Sequence, residues 1–406
     1  MAIKKSITAV LSEINTHIDI GDDDIVTIFK SINAIHLFDE VLDFRQVNKV
    51  KYKLNDILLL AMLVILETKS QSFMYIAKYI EVNHKKYENL GLIEEGNYPS
   101  HDTFRRIFSL LDATSFKEAT ILRLYEFLKE IEVAQKGLVH IGIDGKTVNS
   151  TGRSSDSKNP HRNYNVLNVY SSTLNTCLYS EVIDDKTNEI PVSQDILSIM
   201  DLNKVVVTAD ALHCQKDTCK LIKQRKGHYL LTVRDNQKYL YEEVIAKFNN
   251  SRYKPTVIEK DDATIKIIRL PANYEYDGFE SIRSFVMLVS SKRKNECVRY
   301  FISDLVKQDE IQMAVASRWE VENFHHIKDV YLNEDKFRCT DKKAVKNIVQ
   351  MNNLITQLLK IYLPLSGYDN YTGKIALRSR PFEEIAKLLS IINSKEIKDK
   401  MLKAIK

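Results

Sequence analysis

Two short runs rich in β-branched residues, LVHIGID (138–144) and KVVVTAD (204–210), each end on an aspartate. Runs of this length and composition are typical of strands buried within a sheet. In open α/β structures, ligands collect in the crevice beyond the ends of such strands. We therefore expect Asp144 and Asp210 to project into one crevice at the edge of a sheet.

The segments around these two runs predict a mixed α/β fold. YNVLNVYSS and TCLYSEVI are predicted as strands that follow Asp144, and HYLLTVRD as a strand that follows Asp210. With helical patterns between them, including one capped at Ser193, the order strand, strand, strand, helix, strand, helix, strand indicates a mixed sheet with covering helices. Further strands between about 252 and 305 look antiparallel and inserted into this domain.

The first part of the chain, up to about residue 134, has helical patterns. The apolar run Ile57–Leu66 is far shorter than the roughly 20 residues that cross a bilayer, so it predicts a buried helix. A later helix starts near Ser100 and carries Arg105 and Arg106 on its outward side. These helices would suit a helix-turn-helix DNA reader, but ordinary amphipathic helices explain the pattern more simply.

Bulk composition permits several functions and excludes few. The 406 residues include 59 basic and 54 acidic ones, so the net charge of +5 allows a nucleic-acid partner without requiring one. Five cysteines without a CxxC pair indicate reduced thiols rather than a disulfide framework or a zinc ribbon. The beginning of the sequence lacks a signal-peptide pattern, so we expect a cytoplasmic protein with no membrane association.

A third acidic position lies in the helical pattern that begins near Asp309. Glu320 and Glu322 both occur there, and a helix turns them about 200° apart. Glu322 falls at the border of the polar arc, whereas Glu320 points among apolar positions. Periodicity therefore leaves both glutamates open as candidates.

Carboxylates delivered from two strand ends and a helix can converge on divalent cations. Mg²⁺ prefers a few carboxylate oxygens together with water and phosphate oxygens. Two such ions, roughly 3.5–4 Å apart, can activate an attacking oxygen and stabilise a leaving one. An aspartate before a glycine is more often a turn former. The order Asp, Asp, Glu at two strand ends and a helix is a more specific sign of a metal site than any one of the three residues alone.

The chain resembles the insertion-sequence transposases of the H-repeat-associated group, a branch of the DDE transposases with an RNase H-like catalytic domain. The motifs that carry the resemblance, in order along the chain, are YKLNDILLLAMLVIL, YPSHDTFRRIF, IDGKTV, TADALHCQ, YLLTVRDNQ, YFISDL and RWEVENFHHIKDVYLNED. The resemblance implies that Asp144, Asp210 and Glu322 form the catalytic, metal-binding triad, with Glu320 as the alternative third member.

The resemblance also assigns Arg318, and position in the sequence adds four further candidates near the triad. Arg318 matches the signature arginine four residues before the glutamate, which implies a contact with DNA phosphate. Two positions depart from the family pattern: Val315 stands in place of a tyrosine, and Asp329 in place of a lysine. Lys146 and Arg234, each just after a candidate strand-end position, either grip a DNA strand or serve the local turns. His325 and His326 either assist the site or are structural.

The implied fold class is α/β: an RNase H-like mixed sheet with an inserted antiparallel β segment, preceded by a helical N-terminal domain. The expected domains are a helical DNA-end-binding domain (1–135), a catalytic domain (136–365) with its β insertion at about 252–305, and a helical C-terminal tail (366–406).

The implied activity is that of a DNA transposase. It would cleave phosphodiester bonds at element ends and join the 3′-hydroxyl to target DNA with two Mg²⁺ or Mn²⁺ ions and no nucleotide cofactor. Its expected partners are double-stranded DNA, both element ends and target, and further copies of itself in a dimer or larger synapse near the nucleoid. The alternatives are a catalytically inactive DNA-binding relative and a metal-dependent nuclease without strand transfer.

Overall fold

A computed structural model describes residues 37–120, 137–152, 163–173, 176–183, 189–260, 263–290, 297–365, 370–381 and 383–386. The first 36 residues and most of the predicted C-terminal tail lie outside the described residues. Within these ranges no single helix is long and apolar enough to span a membrane, although two helices that meet at 89° (Leu54–Thr68 and Phe73–Val82) pass that test together by length and composition.

The N-terminal part is helical. Nearly every side chain of the first helix from Leu54 to Leu66 is buried, because apolar residues occupy all sides of it. Ser100 begins the last of these helices by accepting a hydrogen bond from the Thr103 amide, as an N-cap residue does. The helices are α1 (Leu54–Thr68), α2 (Phe73–Val82), α3 (His84–Asn89) and α4 (His101–Leu110).

The arrangement of these helices differs from the helix-turn-helix hypothesis. The short helix α3 and the turns of residues 90–99 separate α2 from α4, so no tight turn joins them. α2 still packs against α4. Arg105 and Arg106 are exposed on α4, and Arg105 pairs with Asp102 at 3.2 Å.

The described strands form one nine-stranded sheet with the order β3-β2-β1-β4-β5-β9-β8-β7-β6. The strands are β1 (Val139–Thr147), β2 (Asn165–Ser171), β3 (Thr176–Ile183), β4 (Val205–Ala209), β5 (His228–Val233), β6 (Thr256–Lys260), β7 (Ala263–Arg269), β8 (Ser284–Ser290) and β9 (Cys297–Ser303).

The sheet is mixed. β1, β2 and β3 pair antiparallel, whereas β4 and β5 run parallel to β1. β9 pairs antiparallel with β5, and β8, β7 and β6 follow in antiparallel order, so these strands continue the same sheet. In the parallel pair β1–β4, Ile143 lies opposite Ala209, and each is followed directly by one of the two aspartates.

Helices cover both faces of the sheet. One apolar cluster packs α5, α6 and α7 against β1, β4 and β5 from one side, and another packs α8 against Val206 and Leu230 from the other. The later helices are α5 (Glu189–Ile199), α6 (Lys216–Gln224), α7 (Lys238–Asn249), α8 (Gln308–Tyr331), α9 (Lys342–Leu365) and α10 (Asn370–Ser379).

A third apolar cluster joins the two ends of the described chain. It contains the buried side chains of α1, α2 and α4 together with those of α9 and α10, and it includes Val148 just after β1. Asn347 on α9 donates hydrogen bonds of 2.8 Å to the carbonyl oxygens of Phe108 and Leu111. The N-terminal helices therefore share their core with the helices that follow the sheet.

Candidate active site

Asp144 and Asp210 leave neighbouring parallel strands at the same level. Their preceding residues, Ile143 and Ala209, are paired in the β1–β4 register, and side chains alternate along both strands, so the two carboxylates emerge on the same face. Asp210 also begins a short 3₁₀ turn, Ala211–His213, by accepting a hydrogen bond of 3.0 Å from the Leu212 amide. The predicted meeting of the two aspartates at one edge agrees with this geometry.

Helix α8 crosses this face and brings Glu322 and Arg318 to the aspartates. The helix can approach β1 because Gly142 has no side chain: a Cβ atom there would lie 3.2 Å from the Cβ atom of Val321. A single pocket results, lined by Ile143, Asp144, Thr208, Ala209, Asp210, Arg318, Val321 and Glu322.

Glu320 points away from this pocket. Its carboxylate lies 3.6 Å from the ammonium group of Lys360 on α9, and its charge contributes to a raised pKa of buried Tyr170, for which burial is the larger cause. Glu320 and Glu322 have equally exposed side chains, 43% each. Direction rather than exposure therefore distinguishes the two glutamates.

Arg318 also lines the pocket. Its side chain is only 13% exposed, and its Nη1 lies 3.5 Å from Glu322 Oε1. Burial and the nearby Arg299 lower the pKa of Arg318, while the negative charges of Glu322, Asp144 and Asp210 oppose that change. A guanidinium group keeps its charge in proteins, so Arg318 provides a fixed cation inside the pocket.

His325 contacts the carboxylate of Asp144. Its Nδ1 lies 3.4 Å from Asp144 Oδ2, and its Nε2 lies 2.9 Å from Asn168 Nδ2. The Asn168 oxygen accepts a hydrogen bond of 2.6 Å from Ser180, which assigns the amide NH₂ as a donor to Nε2. The ring proton of a neutral His325 is then on Nδ1, directed at Asp144. His325 thus contacts one of the residues that line the pocket, whereas His326 is exposed.

Lys146 is not among the residues that line the pocket. Its side chain is 6% exposed and is held by three carboxylates, at 2.9 Å from Glu334, 3.7 Å from Asp335 and in a short contact with Asp329. Two residues along β1 from Asp144, it points to the same face but toward the end of α8. The ammonium group thus faces three carboxylates, and a role in gripping DNA stays a prediction.

The three remaining candidate DNA contacts are exposed and outside the pocket. Arg234 follows β5, and the segment after it lies against the Asp210 turn, since Asn236 donates a hydrogen bond of 2.6 Å to the Ala211 carbonyl. Arg105 and Arg106 lie on α4. Exposure leaves all three available for DNA, and their roles stay predictions.

The pocket has the donor chemistry that a hard cation prefers, since its acidic lining consists of carboxylates. In the described ranges, however, no three His, Cys, Asp or Glu side chains are gathered closely enough to hold an ion. Asp144 faces His325, and Glu322 faces Arg318. Binding a cation therefore requires these carboxylates to turn from their present partners toward one another.

Comparison with known families identifies the class of protein. The family described as Transposase DDE domain matches residues 135–358, and the family described as DDE_Tnp_1-associated matches residues 35–122. The chain belongs to the DDE transposase family. All three acidic residues of the pocket fall within the first match.

The relatives make the resemblance more specific. The chain is 27% identical to "Putative transposase YncI" of Escherichia coli O157:H7 over 84% of its length and 91% of that protein. It is 28% identical to "H repeat-associated putative transposase YhhI" of Escherichia coli strain K12 over 78% of its length and 87% of that protein. The predicted resemblance to the H-repeat-associated group is confirmed.

Among solved structures, the chain is similar to a piggyBac transposase synaptic complex with hairpin DNA. The TM-score is 0.41 at 11% sequence identity, with 96% of this chain and 84% of the other covered.

Proposed function

We propose that this protein is a DNA transposase that cuts phosphodiester bonds at the ends of an insertion element and joins the freed ends to target DNA. The observation that carries the proposal is the single pocket lined by Asp144, Asp210, Glu322 and Arg318, within the residues that match the Transposase DDE domain. Three carboxylates and an arginine lining one pocket favour a phosphodiester-cutting enzyme over a purely DNA-binding relative.

The strand order supports an RNase H-like catalytic core. We assign that core to β1–β5 with α5, α6 and α8, and we treat β6 to β9 as the inserted antiparallel segment. Residues 136–365 would form the catalytic domain, and 1–135 the domain that binds element ends. The core shared by α1, α4 and α9 would fix the end-binding helices relative to the catalytic pocket.

Asp144, Asp210 and Glu322 would hold two Mg²⁺ or Mn²⁺ ions. Such ions, when bound, neutralise phosphate charge and lower the pKa of water. Arg318 would bind a phosphate oxygen once Glu322 turns away from it, and His325 would orient the Asp144 carboxylate through its Nδ1 proton.

The reaction then consists of two displacements at phosphorus. The oxygen of a water molecule attacks the phosphodiester at the element end, and the 3′ oxygen leaves and takes up a proton as a 3′-hydroxyl. That hydroxyl next attacks a phosphodiester of the target, whose own 3′ oxygen leaves. Each displacement forms one P–O bond and breaks one, so no nucleotide cofactor is needed.

Two element ends must be brought together for joining, so the proposed assembly is a dimer or a larger synapse on double-stranded DNA in the cytoplasm. Arg105, Arg106 and Arg234 are the proposed contacts to DNA outside the pocket. The positive net charge of +5 is consistent with such a partner.

The test is cleavage and joining of DNA that carries the sequences flanking the reading frame. Asp144→Asn, Asp210→Asn and Glu322→Gln should each lower cleavage in Mg²⁺ or Mn²⁺ at least a hundredfold, without any nucleotide added. Glu320→Gln is the matched control, because Glu320 faces Lys360, and it should retain cleavage. Undiminished cleavage by the aspartate variants contradicts the proposal. Binding without cleavage by the unaltered protein identifies an inactive relative, and cleavage without joined products identifies a nuclease.

A further inference from the structure

Arg299, on β9, is a cationic residue at the edge of the sheet that carries the pocket. Val233, the last residue of β5, lies opposite Tyr300 of β9, so Arg299 is level with the position just beyond β5. β5 runs parallel to β4, which ends directly before Asp210. Arg299 therefore lies at the same edge of the sheet as the strand-end aspartates.

Arg299 also lies on the face of the sheet that α8 covers. Phe301, two residues along β9, is buried in the apolar cluster beneath α8, and side chains two residues apart on a strand share a face. The guanidinium carbon of Arg299 lies 4.6 Å from the centre of the Trp319 ring. Arg318, which lines the pocket, approaches the same ring at 5.7 Å. One tryptophan ring thus joins Arg299 to the arginine of the pocket.

The hydrogen-bonding groups of these two arginines are incompletely used. Nε and Nη1 of Arg299 are buried, and neither has a hydrogen-bond partner among the described residues. Nη1 of Arg318 is also buried without a hydrogen bond, and its contact with Glu322 is 3.5 Å long. Buried donors without acceptors and neighbouring like charges both cost free energy. An anion between the two guanidinium groups would offset both costs.

The anion that suits this arrangement is a phosphate. A guanidinium group that stacks on an aromatic ring keeps its N–H groups free, and they match the oxygens of a phosphate in pairs. The Arg299 side chain is half-buried, and Trp319 is 40% exposed, so this place is open to a ligand. The DNA backbone supplies a phosphate at every nucleotide.

We propose that Arg299, held by the Trp319 ring, binds a phosphate of the DNA strand beside the one that is cut. This inference rests on the proposed function, which brings a DNA strand to the pocket. Arg318 would bind the phosphate at the site of cleavage, and Arg299 one farther along the same strand. The strand would then run from the two aspartates across the end of β5 toward β9.

The experiment uses the fluorescence of Trp319, which is the only tryptophan of the chain. The full chain is titrated with labelled DNA that carries the sequences flanking the reading frame, in EDTA so that no DNA is cut. Tryptophan emission and the anisotropy of the label are measured in the same titration. DNA should change the emission with the same midpoint as the anisotropy, because the strand lies against the Arg299–Trp319 pair.

The variants measure the contribution of the charge. Arg299→Gln should weaken DNA binding roughly fivefold and reduce the slope of log K, where K is the binding constant, against log salt concentration by about 1. Arg299→Lys keeps the charge and should retain most of that slope. Arg252→Gln is the matched control, because Arg252 is an exposed arginine before β6, at the far edge of the sheet, and this variant should bind as the unaltered chain does.

Trp319→Leu tests whether the ring holds Arg299. This variant should weaken DNA binding, and adding Arg299→Gln should cause little further loss, because both changes disturb one contact. Full additivity of the two losses contradicts the positioning role of the ring.

A structural role for Arg299 is separated by comparing the variants at equal folded concentration. If Arg299→Gln lowers the thermal midpoint but binds DNA with the affinity and salt slope of the unaltered chain, the inference is overturned. DNA binding that leaves the tryptophan emission unchanged overturns it as well. If in either case the unaltered chain still cuts DNA in Mg²⁺, the transposase proposal stands. Weakened binding by Arg299→Gln with no cleavage by the unaltered chain supports the phosphate contact and contradicts the transposase proposal.

Discussion

Lys146 and Glu334 form a salt bridge of 2.9 Å in which both side chains are almost completely buried, 6% and 1% exposed. Lys146 lies two residues beyond Asp144 on β1, and Glu334 follows the helix that carries Glu322. Lys328 at 3.0 Å and Asn352 at 3.0 Å also contact the Glu334 carboxylate. The pair therefore ties the strand of one proposed catalytic residue to the helix of another.

Removing Lys146 should destabilise the fold more than it affects DNA binding. Burial disfavours the charge of Lys146, but Glu334 and Asp329 outweigh burial and raise its pKa. Lys146→Met leaves three carboxylates without this partner, so we expect the free energy of unfolding to fall by about 3–5 kcal/mol, as is usual when one member of a buried pair is lost. Urea denaturation measures this change.

Lys78→Met is the control for that comparison, because Lys78 and Glu81 form an exposed pair at 3.1 Å. Exposed pairs contribute at most about 1 kcal/mol, so this variant should unfold almost as the unaltered chain does. If Lys146→Met keeps full stability but loses DNA affinity, the ammonium group contacts DNA and the structural role assigned to it is wrong.

His140 should make the fold sensitive to mild acid. Its imidazole is buried in β1, neither ring nitrogen has a described hydrogen-bond partner, and burial lowers its pKa from 6.5 to about 4. The unfolded chain therefore binds a proton between pH 6.5 and 4 that the folded chain excludes. Stability is fully present above pH 6.5 and decreases as pH falls toward 4, by on the order of 3 kcal/mol.

The measurement is the free energy of unfolding as a function of pH for the unaltered chain, His140→Leu and His101→Leu. His140→Leu should lose most of the decrease between pH 6.5 and 4. His101 is half exposed at the start of α4, so His101→Leu should keep that decrease. Parallel curves for all three proteins would show that His140 is not the group responsible.

The strands around the pocket were predictable because short-range composition determines them. The segment HYLLTVRD was predicted to be a strand, and the structure has β5 at His228–Val233. The segment KVVVTAD was predicted to be a strand that ends near Asp210, and β4 ends at Ala209, directly before Asp210. Whether the two aspartates lie side by side depends on the register between β1 and β4. Sequence patterns within either strand do not determine that register. That the antiparallel strands β6–β9 extend the same sheet likewise depends on the long-range pairing of β9 with β5.

The side-chain partners were much less predictable. Helical periodicity could not choose between Glu320 and Glu322, because the choice depends on Lys360, a residue on another helix. Lys146 was expected at a DNA surface, yet its partners lie more than 180 residues along the chain. The start of α5 was also placed too late: a cap was expected at Ser193, whereas the helix already begins at Glu189 with Pro191 in its first turn, where proline is tolerated.

His325 should be needed for activity and its neighbour His326 should not. His325 contacts Asp144 and is oriented by Asn168, whereas His326 is exposed. A group that orients a metal-binding side chain typically changes activity by 10–100-fold when removed. We expect His325→Ala to lower cleavage of element-end DNA by roughly tenfold and His326→Ala to leave it unchanged. Equal activity of the two variants, measured at equal folded concentration, would remove His325 from the site.

The exposed arginines of α4 should contribute to DNA affinity through phosphate charge alone. The salt dependence of DNA binding is measured as the slope of log K, where K is the binding constant, against log salt concentration. Each lysine or arginine that neutralises a phosphate contributes about 1 to the magnitude of this slope. Arg105→Gln with Arg106→Gln should therefore reduce the slope by about 2 and weaken binding of all DNA sequences similarly. Fluorescence anisotropy at several salt concentrations provides the slope.

Arg252→Gln is the matched control, since Arg252 is an exposed arginine just before β6, the strand at the far edge of the sheet from β1. Its slope should equal that of the unaltered chain. Because Arg105 pairs with Asp102 at only 3.2 Å in the absence of DNA, part of its charge is already offset, and the single variant Arg105→Gln should change the slope less than Arg106→Gln does. Unchanged slopes in all these variants would place the DNA path elsewhere than α4.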